Sequence, residues 1–155
     1  QATVDAAIEK LGGVDILINN AGITRDNLLL RMTAEQWDDV MNTNLKSVFN
    51  MTKQVIRPMM KAKSGSIINM SSIIGIRGNA GQSSYAASKA GIIGFSKALA
   101  LENANKGITV NVIAPGYVGT DMVKKIDPTI LKGIVSQIPT GRLAEPAEIA
   151  ALASY

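Results

Sequence analysis

The chain has 155 residues, of which 46% are hydrophobic and 18% are charged, and this is the profile of one ordinary globular domain. It contains no histidine and no cysteine, which excludes disulfides, metal sites built from these residues and acid–base steps that depend on imidazole. The net charge of +4 is scattered, and only two Phe, one Trp and three Tyr could stack on bases, so we expect no nucleic-acid partner. Because histidine and cysteine are absent, we also expect no metal.

The beginning of the chain gives no sign of export or of a membrane anchor. Residues 1–10 lack the basic start and the apolar run of a signal peptide. No stretch approaches the ~18 apolar residues that a membrane span requires. We therefore expect a cytoplasmic protein, or one of the plastid stroma if the source is a eukaryote, with no membrane partner.

Three short runs rich in Ile and Val, residues 14–18, 66–70 and 108–114, have the length of β-strands. None alternates cleanly between apolar and polar residues, so we predict strands that are buried on both faces of a sheet. Two long helical patterns separate the three runs. This order of elements implies two right-handed crossovers, and therefore an α/β fold with a parallel sheet.

Local signals mark the ends of the two long helices. The first begins at Thr33, which can cap it and form a capping box with Gln36. Pro58 is expected to end or kink this first helix. The second helix covers residues 84–104 and is expected to stop at Gly107, a residue type that commonly follows a helix.

The part of the chain after the third predicted strand has a different character. Residues 117–141 are longer than a connection normally needs, and we interpret them as a candidate lid or substrate loop. A last helix is predicted to begin near Glu145 and Pro146. Because three parallel strands leave two open sheet edges, we expect residues 1–155 to be the middle of a larger α/β domain.

Tyr85 and Lys89 are the leading candidates for proton transfer. Their spacing of four residues on a predicted helix places both side chains on one face, about 5–6 Å apart at Cβ. A phenol has an ordinary pKa of about 10, and a neighbouring ammonium stabilises the phenolate and lowers that pKa. The alternative is an accidental pair on a solvated helix turn.

Polar residues and glycines follow all three predicted strands. In an open parallel sheet, ligands bind beyond the carboxyl ends of the strands, so these residues are expected to share one site. Ordinary turn chemistry is the alternative for each of them alone. They are Asn19, Asn20, Ala21 and Gly22 after the first strand, Ser71 and Ser72 after the second, and Pro115 and Gly116 after the third.

The set as a whole resembles the motifs of the classical short-chain dehydrogenases/reductases. Within that family, residues 20–27, 81–85, 89–96, 111–116 and 120–122 are similar to the branch that reduces β-ketoacyl thioesters of acyl carrier protein. The resemblance covers essentially the whole chain. It implies a Rossmann-like, doubly wound parallel sheet, of which this chain holds the central-to-C-terminal portion. The matching motifs are Asn19-Asn20-Ala21-Gly22, Asn44, Ser72, Tyr85-x-x-x-Lys89 and Pro115-Gly116.

The resemblance implies a role for each matching residue. Tyr85 would donate the proton to the substrate carbonyl, Ser72 would hold and polarise the carbonyl oxygen, and Lys89 would lower the phenol pKa and bind the nicotinamide ribose. Asn44 would bend the first long helix and fix a water that links Lys89 to solvent. The other implied residues are Asn20, Ala21, Gly22, Pro115, Gly116, Val118 and Thr120 at the cofactor, and Gln82 at the substrate.

The implied reaction is the NADPH-dependent reduction of a 3-oxoacyl thioester to a 3-hydroxyacyl thioester in fatty acid synthesis. The family's Gly-x-x-x-Gly-x-Gly turn and its residue that selects between NADPH and NADH have no counterpart in this sequence, so NADH stays open.

Two kinds of partner are expected. Lys63 and Lys106 form a candidate docking patch for acyl carrier protein or for the phosphates of a CoA thioester. The family resemblance also implies a homotetramer, and a helical stripe of small residues would allow close contact between subunits. The stripe consists of Ala87, Gly91, Gly94 and Ala98.

Three alternatives remain at this point. Residues 115–123 and 138–139 somewhat resemble acetoacetyl-CoA reductases. A steroid, sugar or secondary-alcohol dehydrogenase is a broader alternative within the same family. The missing phosphate-binding turn also leaves open a truncated binding subunit without catalytic activity.

Overall fold

The computed structural model describes residues 2–124 and 126–155, without the side chains of Met122 and Lys124. The chain divides into two compact units, one ending at Ala114 and one spanning residues 115–155. The elements of the first unit, in chain order, are α1 (Ala2–Leu11), β1 (Ile16–Asn19), α2 (Ala34–Val40), α3 (Ser47–Ala62), β2 (Gly65–Met70), α4 (Ile74–Arg77), α5 (Ser83–Asn103) and β3 (Ile108–Ile113). A π-helical turn, Met41–Lys46, joins α2 to α3.

The three strands form one parallel sheet in the order β1-β2-β3. Ile16 pairs with Ser66, and Gly65 pairs with Ile108, so the three carboxyl ends lie at one edge. The predicted α/β class with a parallel sheet is confirmed, as part of a Rossmann-like fold. Helix α1 was not predicted from the sequence, and it buries Val4 against the sheet's core.

The core lies on one face of the sheet, between the strands and helices α1, α3 and α5. Leu17 and Ile67 project from β1 and β2 into this core, where they join Val55 and Met59 of α3 and Leu99 of α5. Met59 and Ile67 are fully buried. Each buried side chain of this size contributes roughly 1.5–3 kcal/mol through the removal of apolar surface from water.

The expectation of strands buried on both faces is correct only for β2. Ile16 and Ile18 of β1 are 62% and 49% exposed, and Thr109 and Asn111 of β3 are also exposed. Alternate residues of a strand point to opposite faces, and the described helices that form the core cover one face. The apolar composition of these runs therefore does not by itself establish burial on both sides.

Helix starts follow the sequence more closely than helix ends do. The capping box at Thr33 is present: Thr33 Oγ1 accepts the Gln36 N–H at 3.2 Å, and Gln36 Oε1 accepts the Thr33 N–H at 3.0 Å. Of the two outcomes predicted for Pro58, an end or a kink of the helix, the end is excluded, because α3 continues to Ala62 with Pro58 inside it. The fully buried Met59 anchors its last turn in the core.

Helix α5 matches its predicted range closely. It ends at Asn103 and passes through a 3₁₀ turn, Ala104–Lys106, to Gly107 with a φ of 71°. A side chain at Gly107 would overlap the carbonyl oxygen of Lys63, so the glycine is needed for conformation and for space.

In the second unit, the described residues form helices α6 (Asp121–Lys124), α7 (Pro128–Ser136) and α8 (Pro146–Ser154). The predicted loop over residues 117–141 is thus partly helical in its described residues. Asp127 caps α7, since its Oδ1 accepts the Thr129 N–H at 2.9 Å. Helix α8 starts where the sequence predicted it, with a capping box between Glu145 and Glu148. Within the described residues, every helix is too short or too polar to cross a bilayer.

Candidate active site

Ser72 and Tyr85 meet beyond the carboxyl end of β2. Ser72 follows the strand and is 8% exposed, and Tyr85 lies in the first turn of α5, half-buried. The Ser72 hydroxyl is close enough to the Tyr85 phenol to favour its ionised form. Ser72 Oγ also accepts the Ile74 N–H at 3.1 Å, which leaves its own proton available for an acceptor in the site.

Lys89 lies one turn further along α5 and is only 4% exposed. Its Nζ donates a hydrogen bond to the Met70 carbonyl oxygen at 2.7 Å and lies 5.7 Å from the centre of the Tyr85 ring. Burial disfavours the charged ammonium and lowers the pKa of Lys89 to about 8. Two N–H groups of the ammonium remain to bind another acceptor.

The pKa of Tyr85 differs in direction from the sequence expectation. Burial of the phenol raises its pKa, the Ser72 hydroxyl acts in the opposite direction, and the negative charge of Asp26 raises it further. The ammonium of Lys89 was expected to lower this pKa. In the structure the desolvation of Tyr85 outweighs any such effect, and the Lys89 ammonium is directed to a backbone carbonyl.

Asn44 occupies the π-helical turn and is fully buried. Its Oδ1 accepts the Ile23 N–H at 2.8 Å, while its Nδ2 donates to the Ile23 carbonyl at 3.0 Å and to Ser88 Oγ at 3.1 Å. Because Ile23 offers both a donor and an acceptor, the orientation of the amide is unambiguous. The π-helical turn is an irregularity at the position where the resemblance implied a bend.

Ser88 is a residue that the sequence analysis did not identify. It is fully buried, and its Oγ donates to the Tyr85 carbonyl oxygen at 2.8 Å while it accepts from Asn44. This links the π-helical turn to the first turn of α5. Its only sequence signal is its position beside Lys89.

The segment after β1 passes close to Asn44 and Lys89. A Cβ placed on Gly22 would lie 3.4 Å from both Asn44 Oδ1 and Lys89 Nζ. Asn20 and Ala21 precede it and are exposed. The structure therefore brings the predicted residues after β1 to the same sheet edge as Ser72 and Tyr85.

Gln82 lies immediately before α5, and both ends of its carboxamide have partners. Its Nε2 donates to Asp26 Oδ2 at 3.0 Å, and its Oε1 accepts from Asn79 Nδ2 at 3.0 Å. Asp26 was not predicted as a site residue, although it lies in the segment that carried the family resemblance.

The other predicted cofactor residues, Pro115, Gly116, Val118 and Thr120, belong to the second unit. There Val118 forms a bridge with Ala144, and the Thr120 N–H donates to the Val118 carbonyl at 2.7 Å. The described part of the chain has no cluster of three or more acidic, His or Cys residues able to hold a metal ion.

In open parallel α/β sheets of the Rossmann type, dinucleotides bind beyond the carboxyl ends of the strands. Ser72, Tyr85 and Lys89 lie at this edge of the sheet, so the fold and the site are those of a dinucleotide-binding protein. The sequence profile described as "short chain dehydrogenase" matches residues 1–131. The chain belongs to the short-chain dehydrogenase family, as its motifs predicted. Membership implies a nicotinamide dinucleotide as cofactor.

Several curated proteins named 3-oxoacyl-[acyl-carrier-protein] reductase FabG are similar to this chain. The Vibrio cholerae protein is 52% identical over 155 residues, which cover 100% of this chain and 64% of that protein. The Escherichia coli K12 protein is 54% identical over 153 residues, 96% of this chain and 63% of the relative. The Chlamydia muridarum protein is 51% identical over 154 residues, which cover 99% of this chain and 62% of that protein. The chain thus spans less than two thirds of the length of these relatives.

Proposed function

We propose that this chain carries the catalytic residues of a 3-oxoacyl-[acyl-carrier-protein] reductase of fatty acid synthesis. The reaction would convert a 3-oxoacyl thioester into a 3-hydroxyacyl thioester. The observation that carries the proposal is that the Ser72 hydroxyl and the buried Lys89 ammonium both lie beside the Tyr85 side chain at the carboxyl end of β2. The names of the relatives support the choice of substrate.

In this proposal the chain itself supplies a proton and an oxyanion site. Ser72 holds the substrate's keto oxygen with the proton that its bond from Ile74 leaves free. Tyr85 donates its phenolic proton to the same oxygen as negative charge develops there. Its raised pKa keeps the phenol protonated at neutral pH, which is the form that a proton donor requires.

The donor set around Lys89 fits the ribose of a nicotinamide dinucleotide. The two free N–H groups of Lys89 suit a vicinal diol, and the nearby Gly22 backbone carries no side chain that would obstruct it. The cofactor, when bound, supplies the hydride. We propose NADPH, and we assign the remaining contacts to the predicted cofactor residues. These are Asn20, Ala21, Pro115, Gly116, Val118 and Thr120.

We further propose that Asn44 and Lys89 return a proton to Tyr85 from solvent. Asn44 Oδ1 accepts one hydrogen bond, from the Ile23 N–H, so one of its two lone pairs is available. A water held between Oδ1 and the Lys89 ammonium would complete the path. The short distance of both groups from Gly22 supports this arrangement.

Replacing Tyr85 by Phe in the full-length protein tests the catalytic role. We expect the rate of reduction of acetoacetyl thioesters to fall by about 10²–10⁴-fold, because the proton donor is lost, while NADPH binding changes little. Stopped-flow turnover and cofactor fluorescence titration measure the two effects. Tyr155→Phe is the control, because it removes the same hydroxyl group from a tyrosine that was not assigned to the site. Retained turnover in Tyr85→Phe would disprove the assignment.

We also propose the partners of the protein and its location in the cell. We propose a cytoplasmic homotetramer that receives its substrate on an acidic carrier protein, docked at Lys63 and Lys106. Exposed aromatic surface on α3, with Phe49 47% exposed beside a depression lined by Met41, Leu45 and Phe95, supports contact between subunits.

A further inference from the structure

A side-chain clamp lies at the entrance to helix α5, three residues before Tyr85. The carboxamide of Gln82 is held at both ends, by Asp26 on one side and by Asn79 on the other, with both bonds 3.0 Å long. The Gln82 carbonyl in turn accepts the Ala86 N–H at 2.8 Å, so the residue belongs to the first turn of the helix. Movement of Gln82 would therefore move the turn that carries Tyr85.

The loop that contributes Asp26 is itself fixed to the same place. The Asn27 N–H donates to the Gly81 carbonyl at 2.8 Å, next to Gln82. The Asn27 side chain donates to the Arg31 carbonyl at 3.0 Å and to Gln36 Oε1 at 3.3 Å. Gln36 is part of the capping box of α2. Asp26 is thus a carboxylate on a well-anchored loop rather than a free surface group.

We propose that Asp26 is a positioning residue of this site: it holds the first turn of α5 through Gln82 and places a negative charge at the start of that helix, three residues before Tyr85. The inference rests on the proposed function for its kinetic consequences only. Asp26 is exposed and Gln82 is partly buried, so the bond between them joins a surface carboxylate to the start of α5. The charge opposes formation of a phenolate, and this agrees with the raised pKa of Tyr85.

Other charged groups surround α5, and their effects on the Tyr85 phenol must be distinguished from the effect of Asp26. Lys89 lies on the same helix, 5.7 Å from the Tyr85 ring, and Asp39 of α2 is paired with Arg25 at 3.2 Å. The remaining charged residues on α5 and on the described elements packed against it are Lys97 and Glu102 of α5, Glu35 and Asp38 of α2, Lys46 of the π-helical turn, Arg77 of α4 and Lys106 of the 3₁₀ turn.

Two substitutions separate the two effects of Asp26. Asp26→Asn removes the charge but keeps an oxygen that can accept from Gln82, whereas Asp26→Ala removes both. Asp39→Asn is the matched control, because it neutralises another exposed carboxylate nearby. The Tyr85 phenolate is followed by its absorbance after pH jumps, read before alkaline unfolding, with Tyr85→Phe as the blank. The measurements use the full-length protein.

We expect the midpoint of phenolate formation to be lower in Asp26→Asn than in wild type and Asp39→Asn. The alkaline limb of the reduction rate should move in the same direction, because activity is lost as the proton donor ionises. Asp26→Ala should show the same midpoint as Asp26→Asn. Its kcat should be about tenfold below that of Asp26→Asn, with a smaller change in KM, because the first turn of α5 is no longer held through Gln82.

An unchanged midpoint in Asp26→Asn overturns the role of the charge, and equal kcat values for the two variants overturn the role of the clamp. The phenolate measurement needs neither substrate nor cofactor. If wild type fails to reduce a 3-oxoacyl thioester, the proposed function falls, while the midpoints still decide whether Asp26 acts on Tyr85.

Discussion

Burial of individual side chains determines the electrostatics of this site. Lys89 is 4% exposed, and its ammonium has one backbone carbonyl as partner. Without a carboxylate to compensate, the desolvation cost remains and lowers the pKa of Lys89 to about 8, from its ordinary value of 10.5. A lysine in this state can exchange a proton near neutral pH, which suits the relay proposed for it.

The same shift predicts a pH dependence of stability in the cofactor-free protein. Between about pH 8 and 10.5 the unfolded chain binds a proton at Lys89 that the folded chain has released, so stability rises with pH across this interval. Below pH 8 the full cost of the buried charge is present. In Lys89→Met this contribution should disappear. The difference in free energy of unfolding between the variant and wild type should therefore change by roughly 3 kcal/mol between pH 8 and pH 10.5.

Urea titrations at several pH values measure this difference. Lys97→Met serves as control, because Lys97 is an exposed lysine on the same helix. Parallel stability curves for wild type and Lys89→Met would show that burial does not shift the pKa as described.

At the scale of secondary structure, close contact between α4 and α5 keeps Ser72 near Tyr85. Gly75 lies in α4, just after Ser72, and a Cβ there would lie 2.7 Å from the Lys89 carbonyl carbon and 2.8 Å from the Ala90 nitrogen. These are backbone atoms, so they cannot rotate away. Only glycine permits the two helices to approach to this distance.

Gly75→Ala should therefore separate the two helices. We expect a loss of about 1–3 kcal/mol in the free energy of unfolding, as in other overpacked sites, and a lower kcat because Ser72 moves with α4. Gly133→Ala is the matched control: no atom lies within 4 Å of its added Cβ, and alanine in the exposed part of helix α7 should stabilise by about 1 kcal/mol. Chemical denaturation measures both, and equal effects would contradict this account.

At the scale of the whole molecule, the proposed docking patch and the proposed site lie at opposite edges of the sheet. Lys63 precedes β2, and Lys106 lies just before β3 and adjoins it through the contact between Gly107 and the Lys63 carbonyl. Ser72 follows β2, which has six residues and is therefore about 20 Å long. A docked carrier must reach across the sheet or into a neighbouring subunit.

Light scattering of the full-length protein, alone and with acidic acyl carrier protein, tests both partner proposals. We expect the mass of a tetramer, and binding of the carrier that weakens at least tenfold and becomes less salt-sensitive in the double variant Lys63→Glu and Lys106→Glu. Lys10→Glu with Lys97→Glu makes the same change in charge at exposed positions elsewhere. A monomer would exclude the tetramer, and equal binding by both double variants would exclude the patch.

Sequence alone determined the two long helices, the parallel sheet and the family, but it did not reveal α1 or the helices within residues 117–141. Capping at Thr33, the glycine after α5 and the spacing of Tyr85 and Lys89 are local features that the side chains themselves encode. The polar residues after each strand could be assigned to one edge because parallel strands share the direction of their ends.

Tertiary structure decided what depends on contacts between distant parts of the chain. Asp26 bonds Gln82 across 56 positions, and Asn44 bonds Ser88 across 44, so no local pattern reports either contact. Likewise, the exposed face of β1 and the directions of the pKa shifts at Tyr85 and Lys89 follow from what packs around each group. Packing, unlike periodicity and capping, is a property of the folded chain as a whole.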